Sequence, residues 1–347
     1  MLVNKTKKKL INTFNQFLSH PSVVDVFNRQ VKKSLHLLPK LDNQTSPYHS
    51  MDNQLEVNKT FERDDIVFIS SRFRSGSTVL WNVFRNLNDA TAYYEPFNER
   101  RWFDESCRGE NVDSTHLGVD NYWQEFVGLN ELSKYYHEDW IRDELFMDGA
   151  AFNPDMKRFI EICVENSKAR PVLQFNRIDF RLPWLKATFP NCKILHLYRN
   201  PRDQWLSFLT DKKIMNAQQV EQTYKDAFYL NPWCNNLKNY FPFLSEDITP
   251  HPYQRFYYLW KLSFLFGQKY SDISIGFEQL SHSPKSVLTE VLTVLNWHNP
   301  DIDKAAAVVE QVQLDKWKSY ADDAWFLKHE LACETVLSQF LDNQNVR

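Results

Sequence analysis

Two periods of apolar and polar positions interleave along this chain. Short apolar runs bounded by turn residues alternate with longer segments whose apolar residues recur every three or four positions. The short runs lie at residues 66–70 (IVFIS), 90–95 (ATAYYE), 171–176 (PVLQFN), 193–198 (KILHLY) and 273–277 (ISIGF), and each predicts a strand. Behind the first run, Val79, Leu80, Val83, Phe84 and Leu87 keep helical spacing. Helices are also predicted over residues 155–167, 182–189, 253–270, 285–295, 302–312 and 323–341. Another opens at Pro201, with Asn200 as its N-cap. Strands alternating with helices predict an α/β fold, a three-layer α/β/α sandwich whose mostly parallel sheet is covered on both faces.

The pattern weakens in three places. Residues 1–60 are polar and lysine-rich, and Leu10, Ile11, Phe14, Phe17 and Leu18 mark one amphipathic helix. This arm reads as a helix followed by a linker. Its basic, amphipathic character fits peripheral membrane contact, although such a helix more often packs on its own domain. Residues 61–347 form the main domain, with an insertion of helices and loops at about 97–151 and a second insertion at about 211–252. In the second, Asn231-Pro232, Phe241-Pro242 and Thr249-Pro250 interrupt regular structure.

Composition narrows the class. The chain has 347 residues and a formal net charge of −3, which gives no reason to expect nucleic acid. It has no apolar run long enough to cross a membrane and no signal-peptide h-region. Its five cysteines are scattered and read as reduced, so a cytoplasmic location is expected.

Candidate chemistry is concentrated between the first strand and the first helix, in Arg72-Phe73-Arg74-Ser75-Gly76-Ser77-Thr78. At such a turn the free N–H groups of the helix N-terminus face an anion. Arg74 adds a fixed positive charge, and Ser77 and Thr78 add hydroxyls. Gly76 is one of only seven glycines, which suggests close backbone approach to a ligand. The lysine of an ATP-binding G-x-x-x-x-G-K-[ST] loop is missing. A second stretch, ILHLYRNPRDQWLSFL at 194–209, puts Arg199 at the carboxyl end of a strand and Ser207 on the next helix. Ligands bind at that edge of a parallel sheet, so these two residues are candidates for a second anionic group. The bland alternative has Arg199 and Arg202 solvated or paired with Asp203.

Together the two stretches resemble the sulfotransferases that use 3′-phosphoadenosine 5′-phosphosulfate (PAPS). In that family an R-S-G-[ST]-[ST] loop holds the 5′-phosphosulfate, and R-[DN]-P-R-x-x-x-x-S holds the 3′-phosphate. Here they stand as Arg74-Ser75-Gly76-Ser77-Thr78 and as the segment from Arg199 to Ser207. The segment SIGFEQLSHSPKSVLTEVLTVLN at 274–296 is similar to the family's strand, E-x-L and following helix. Lys316-Trp317-Lys318 is similar to its late tryptophan segment near the cofactor. The resemblance implies a P-loop-like topology and PAPS as co-substrate without a metal. It also implies contacts to the co-substrate from Arg74, Ser75, Gly76, Ser77, Thr78, Arg199, Ser207 and Trp317. The arginine form of the loop is closer to carbohydrate and protein-tyrosine sulfotransferases than to the lysine-loop small-molecule enzymes, and a glycan or glycolipid hydroxyl is the expected acceptor.

An acceptor hydroxyl attacking sulfur needs its proton removed. Glu95, at the end of the second strand, is the first choice, because parallel strands end on one edge. Glu99 is a nearby substitute. His196 is the other candidate, although a mid-strand histidine is more often core. Charge developing on the leaving group falls to Arg74 and the loop N–H groups. Trp102, Trp123, Tyr135, Tyr136, Trp140, Tyr229 and Trp233 are candidate sugar-stacking rings. Two rivals are open on sequence alone: a nucleotide kinase of related topology, and a non-catalytic nucleotide-binding protein.

Overall fold

A computed structural model describes residues 63–345, apart from 110–111, 114–115 and 117. The chain divides into Met1–Lys59 and Thr60–Arg347. The first unit, with its expected amphipathic helix and membrane contact, lies outside the described residues.

Five strands form one parallel sheet: β1 (Val67–Ser71), β2 (Ala90–Tyr94), β3 (Arg170–Phe175), β4 (Lys193–Tyr198) and β5 (Ile273–Gly276). Their spatial order is β2-β3-β1-β4-β5. Register pairs Phe68 with Leu173 and Ile194, and Ser70 with Phe175 and His196. Side chains alternate between faces along a strand, so Phe68, Phe175 and His196 share one face. Tyr94 and Gln174, a register pair, share the other.

Eleven helices surround the sheet among the described residues: α1 (Ser77–Arg85), α2 (Pro154–Glu165), α3 (Leu182–Thr188), α4 (Pro201–Phe208), α5 (Val220–Thr223), α6 (Leu230–Leu237), α7 (Pro252–Tyr270), α8 (Phe277–His282), α9 (Pro284–Val294), α10 (Ile302–Ala307) and α11 (Asp323–Asn345). On one face Phe68 meets Phe189, just past α3, at 5.5 Å, and His196 lies against Gly267 of α7. On the other, Trp81 of α1 meets Tyr94 at 4.8 Å, and α9 packs on β5. This is the expected three-layer α/β/α sandwich with P-loop-like topology. No helix among the described residues is long and apolar enough to cross a membrane.

The strand expectations hold to within one residue at each end. The helix expected over 302–312 stops at Ala307, and the β-branched Val308 and Val309 that follow pack on the core outside it. The first insertion, expected to hold helices and loops, has short 3₁₀ turns and no α-helix among its described residues before α2. In the second insertion Pro232 does not break structure. It sits in the first turn of α6, where a missing N–H costs nothing. That insertion also builds a second apolar cluster, in which Trp205, Phe208, Trp233, Phe243 and Tyr253 are buried together.

Candidate active site

The strand order reverses on either side of β1, so β3 and β4 flank it and a crevice opens at the carboxyl ends. A cleft of about 750 Å³ lies there. Its walls carry Arg74, Gly76, Ser77 and Thr78 from the first loop, Arg199 and Ser207 from the β4–α4 segment, and Glu95 and Glu99 beyond β2. The two sequence stretches therefore meet in one cavity, and they touch directly. Arg199 Nη1 donates to the carbonyl of Arg74 at 3.1 Å.

The loop conformation explains its glycine. Gly76 is the N-cap of α1 at φ 94°, and a Cβ there would lie 2.2 Å from the Phe277 ring. Only glycine fits both the left-handed backbone and that contact. Gly76 offers no side-chain cap and α1 has no acidic residue in its first turn. The helix N-terminus is thus open to an exogenous anion. Arg74 also stands at positive φ, 63°, an uncommon state for a residue with a Cβ.

The arginines fit an anionic occupant. The Nε atoms of Arg74 and Arg199 are buried without a hydrogen-bond partner. Burial pushes the Arg199 guanidinium down from its ordinary value, opposed by Asp203 and Glu278. No carboxylate among the described residues forms an ion pair with Arg199, and Arg74 reaches only Asp113, at 4.0 Å. A bound anion would relieve both. The neighbouring arginines are already engaged. Arg72 forms a buried ion pair with Asp179 at 2.8 Å, and Arg202 is held by Glu330 and Asp323.

Three candidates from sequence do not face the cleft. Ser75 is buried and its hydroxyl donates to the Arg72 carbonyl at 2.7 Å, so it shapes the loop from behind. Trp317 packs over the Arg202 guanidinium at 4.7 Å, and its neighbour Lys316 lines the cleft instead. His196 is 1% exposed, bonds Ser274 Oγ at 2.7 Å and presses on Gly267. It is a core histidine with no access to an acceptor.

Burial lowers His196 to about 4. Its unfolded value is near 6.5, so the unfolded chain gains the proton first as pH falls. The stability His196 contributes is complete above pH ~6.5 and is lost progressively toward pH ~4, on the order of 3 kcal/mol in all. Urea midpoints measured from pH 7 to 4.5 should fall through this window, and His196→Asn should flatten the fall.

Glu95 is 5% exposed and stands at φ 38°. Its Oε1 accepts from Asn176 Nδ2, and its Oε2 accepts from Asn98 Nδ2 at 2.7 Å and Arg177 Nη1 at 2.9 Å. A carboxylate has about four acceptor positions, so one remains. Glu99 is less buried. It is shared between Arg177 Nη2 and Tyr229 Oη. Asn98, Asn176 and Arg177 line the cleft and were not singled out from sequence. The rule that singles out Arg199 at a strand's carboxyl end applies equally to Asn176 and Arg177, directly after β3. Of the seven candidate sugar-stacking rings, only Trp102 and Tyr229 reach the cleft. Trp140 and Trp233 are core, and Trp123 lies under the Arg108 guanidinium at 3.8 Å.

Comparison with known proteins agrees with this geometry. A family model described as the sulfotransferase family matches residues 66–301, which span both candidate anion-binding segments, Glu95 and the whole sheet. The chain belongs to the sulfotransferase family. No curated protein matches it. Solved structures similar to this sulfotransferase include one from Alicyclobacillus acidocaldarius, 14% identical, TM-score 0.35, covering 80% of this chain and 95% of that one. Sulfotransferase STF9 from Mycobacterium avium is 11% identical, TM-score 0.42, with 84% and 80% covered. Mouse sulfotransferase SULT7A1, solved complexed with PAP, is 13% identical, TM-score 0.38, with 82% and 86% covered. The sulfotransferase thus places an open helix N-terminus, two arginines with no ion pair shorter than 4.0 Å among the described residues and a buried carboxylate around one cleft, a set suited to group transfer between an anionic donor and a hydroxyl.

Proposed function

We propose that this sulfotransferase moves the sulfuryl group of PAPS to an acceptor hydroxyl on a carbohydrate or glycolipid. The observation that carries the donor is that Arg74 and Arg199, in one cleft, form no ion pair shorter than 4.0 Å among the described residues, whereas Arg177 beside them is held by Glu95 and Glu99. Two separated cationic sites suit a donor with two separated anionic groups. The open N-terminus of α1 and the hydroxyls of Ser77 and Thr78 would hold the 5′ side, and Arg199 and Ser207 the 3′ side. The glycan acceptor is supported by the Tyr229 ring at the cleft, which suits an apolar sugar face, and by cleft walls drawn from both insertions.

The bound donor supplies an activated sulfuryl group. Glu95 receives the acceptor proton as the new O–S bond forms. The bond from sulfur to the bridging phosphate oxygen breaks, and adenosine 3′,5′-bisphosphate leaves. Arg74 and the N–H groups of the loop stabilise the charge that gathers on that bridging oxygen. Asn98, Asn176 and Arg177 keep the Glu95 carboxylate aimed, and aim is most of what such a transfer needs from protein.

Thermal denaturation with nucleotides tests the donor. Adenosine 3′,5′-bisphosphate should raise Tm, and ATP with magnesium should raise it less. The reverse order would sink the proposal. Radiolabelled sulfate transfer to a glycan panel tests the acceptor.

A further inference from the structure

After Arg170, β3 has a single polar side chain, and it lies inside the sheet. Gln174 is completely buried, with Ile69 of β1 and Tyr94 of β2 as its register partners. A buried amide is costly unless its hydrogen bonds are made. Gln174 makes only those of its nitrogen. Its Nε2 donates to Asn176 Oδ1 at 2.8 Å and to Ser71 Oγ at 3.3 Å, while its Oε1 is buried without a hydrogen-bond partner. Core packing alone would favour methionine, which fills a similar volume and orphans no amide oxygen. The nitrogen end of Gln174 is therefore the part to account for.

That end leads to the cleft. Asn176, just past β3, is 4% exposed, and its Nδ2 donates to Glu95 Oε1. Its Oδ1 accepts from Gln174 Nε2 and, at 3.1 Å, from the Ser71 hydroxyl. The polarity of this chain is fixed from its cleft end. An ionised carboxylate only accepts, so Asn176 turns its NH₂ toward Glu95. Its carbonyl then faces inward and has to meet donors, which Gln174 and Ser71 supply. The Asn176 amide cannot turn over without breaking both of those bonds and setting its oxygen against the carboxylate.

We infer that Gln174 is a positioning residue for the transfer, locking through Asn176 the amide that aims Glu95 Oε1, with Ser71 as the second donor of the lock. The inference rests on Glu95 as the proton acceptor proposed above. Asn176 lines the cleft, whereas Gln174 and Ser71 lie behind it. Their influence therefore falls on the rate of transfer and not on the binding of either substrate.

The experiment is single-turnover transfer from radiolabelled PAPS to the panel glycan that the wild type sulfates fastest. Gln174→Met keeps most of the volume and removes the donor. It should slow transfer on the order of tenfold, because small misplacements of a reacting group are costly. Acceptor KM and the affinity for adenosine 3′,5′-bisphosphate should stay as in wild type. In the Glu95→Gln background the same substitution should add no further slowing, because the two residues act through one chain of bonds. Ser71→Ala removes the other donor and should repeat the pattern with a smaller loss. It carries the test if Gln174→Met does not fold. Equal slowing by Gln174→Met with and without the Glu95 carboxylate would reduce Gln174 to a structural role and overturn the inference. So would a wild-type transfer rate in Gln174→Met. A wild-type rate in Glu95→Gln alone would instead overturn the proposed base, and the inference with it.

Discussion

Glu95→Gln should lower kcat by about 10²–10⁴-fold, the usual contribution of a positioned general base, with little change in affinity for adenosine 3′,5′-bisphosphate. The substitution preserves shape but removes the charge. It also places an NH₂ among groups that already donate: Asn98, Asn176 and Arg177. Arg177 would keep only Glu99 as a charged partner, at its other nitrogen. Some loss of stability is therefore expected, and activity must be compared below the melting transition of the variant. Single-turnover transfer separates the two effects, since it reports the chemical step on enzyme that is folded and loaded. Unchanged single-turnover rates would remove Glu95 from the chemistry. Glu99→Gln is the companion measurement. Glu99 is half-exposed and shared with Tyr229, so its loss should fall more on acceptor KM than on kcat.

The parts of this site legible in sequence are those carried by local rules. A strand, a glycine-bearing turn and a helix start together locate an anion loop. The carboxyl-end rule for parallel sheets adds Arg199 and Glu95 to the same edge. Sequence did not show which side chains at that edge were already taken. Arg72 and Arg74 are two residues apart with the same chemistry, yet Asp179 neutralises one and leaves the other facing the cleft. That difference depends on a contact 107 residues away. Trp317 and Lys316 show the same limit. Adjacent residues in a 3₁₀ turn point in different directions, and the turn is held by Asp203, which accepts the backbone N–H groups of Asp315 and Trp317 from more than a hundred residues away. His196 shows the converse. Its strand position indicated core packing, and the close contact with Gly267 leaves it no other place. The second insertion read as irregular because its order comes from long-range aromatic packing and leaves no period in the sequence.

Arg74 is where local strain and chemistry meet. Removing its side chain should cost about 10²–10³-fold in kcat, as loss of one preorganised charge-stabilising donor does. Arg199→Ala should act differently, raising the KM for PAPS more than it lowers kcat, since its guanidinium is the proposed holder of the second anionic group. The backbone of Arg74 permits a finer test. Its φ of 63° carries a left-handed cost of about 1–2 kcal/mol for any residue with a Cβ. Alanine keeps that cost and glycine removes it. Arg74→Gly should therefore melt above Arg74→Ala while remaining as inactive. The strain is tolerated because the Arg74 carbonyl is held by Arg199 Nη1 at 3.1 Å, which ties the two halves of the anion site into one rigid unit. Arg199→Ala should then lower the stability gap between the two Arg74 variants, because an untethered loop can leave the left-handed conformation. An equal gap with and without Arg199 would show that the loop holds its shape alone, and that the link between the two anion sites is incidental.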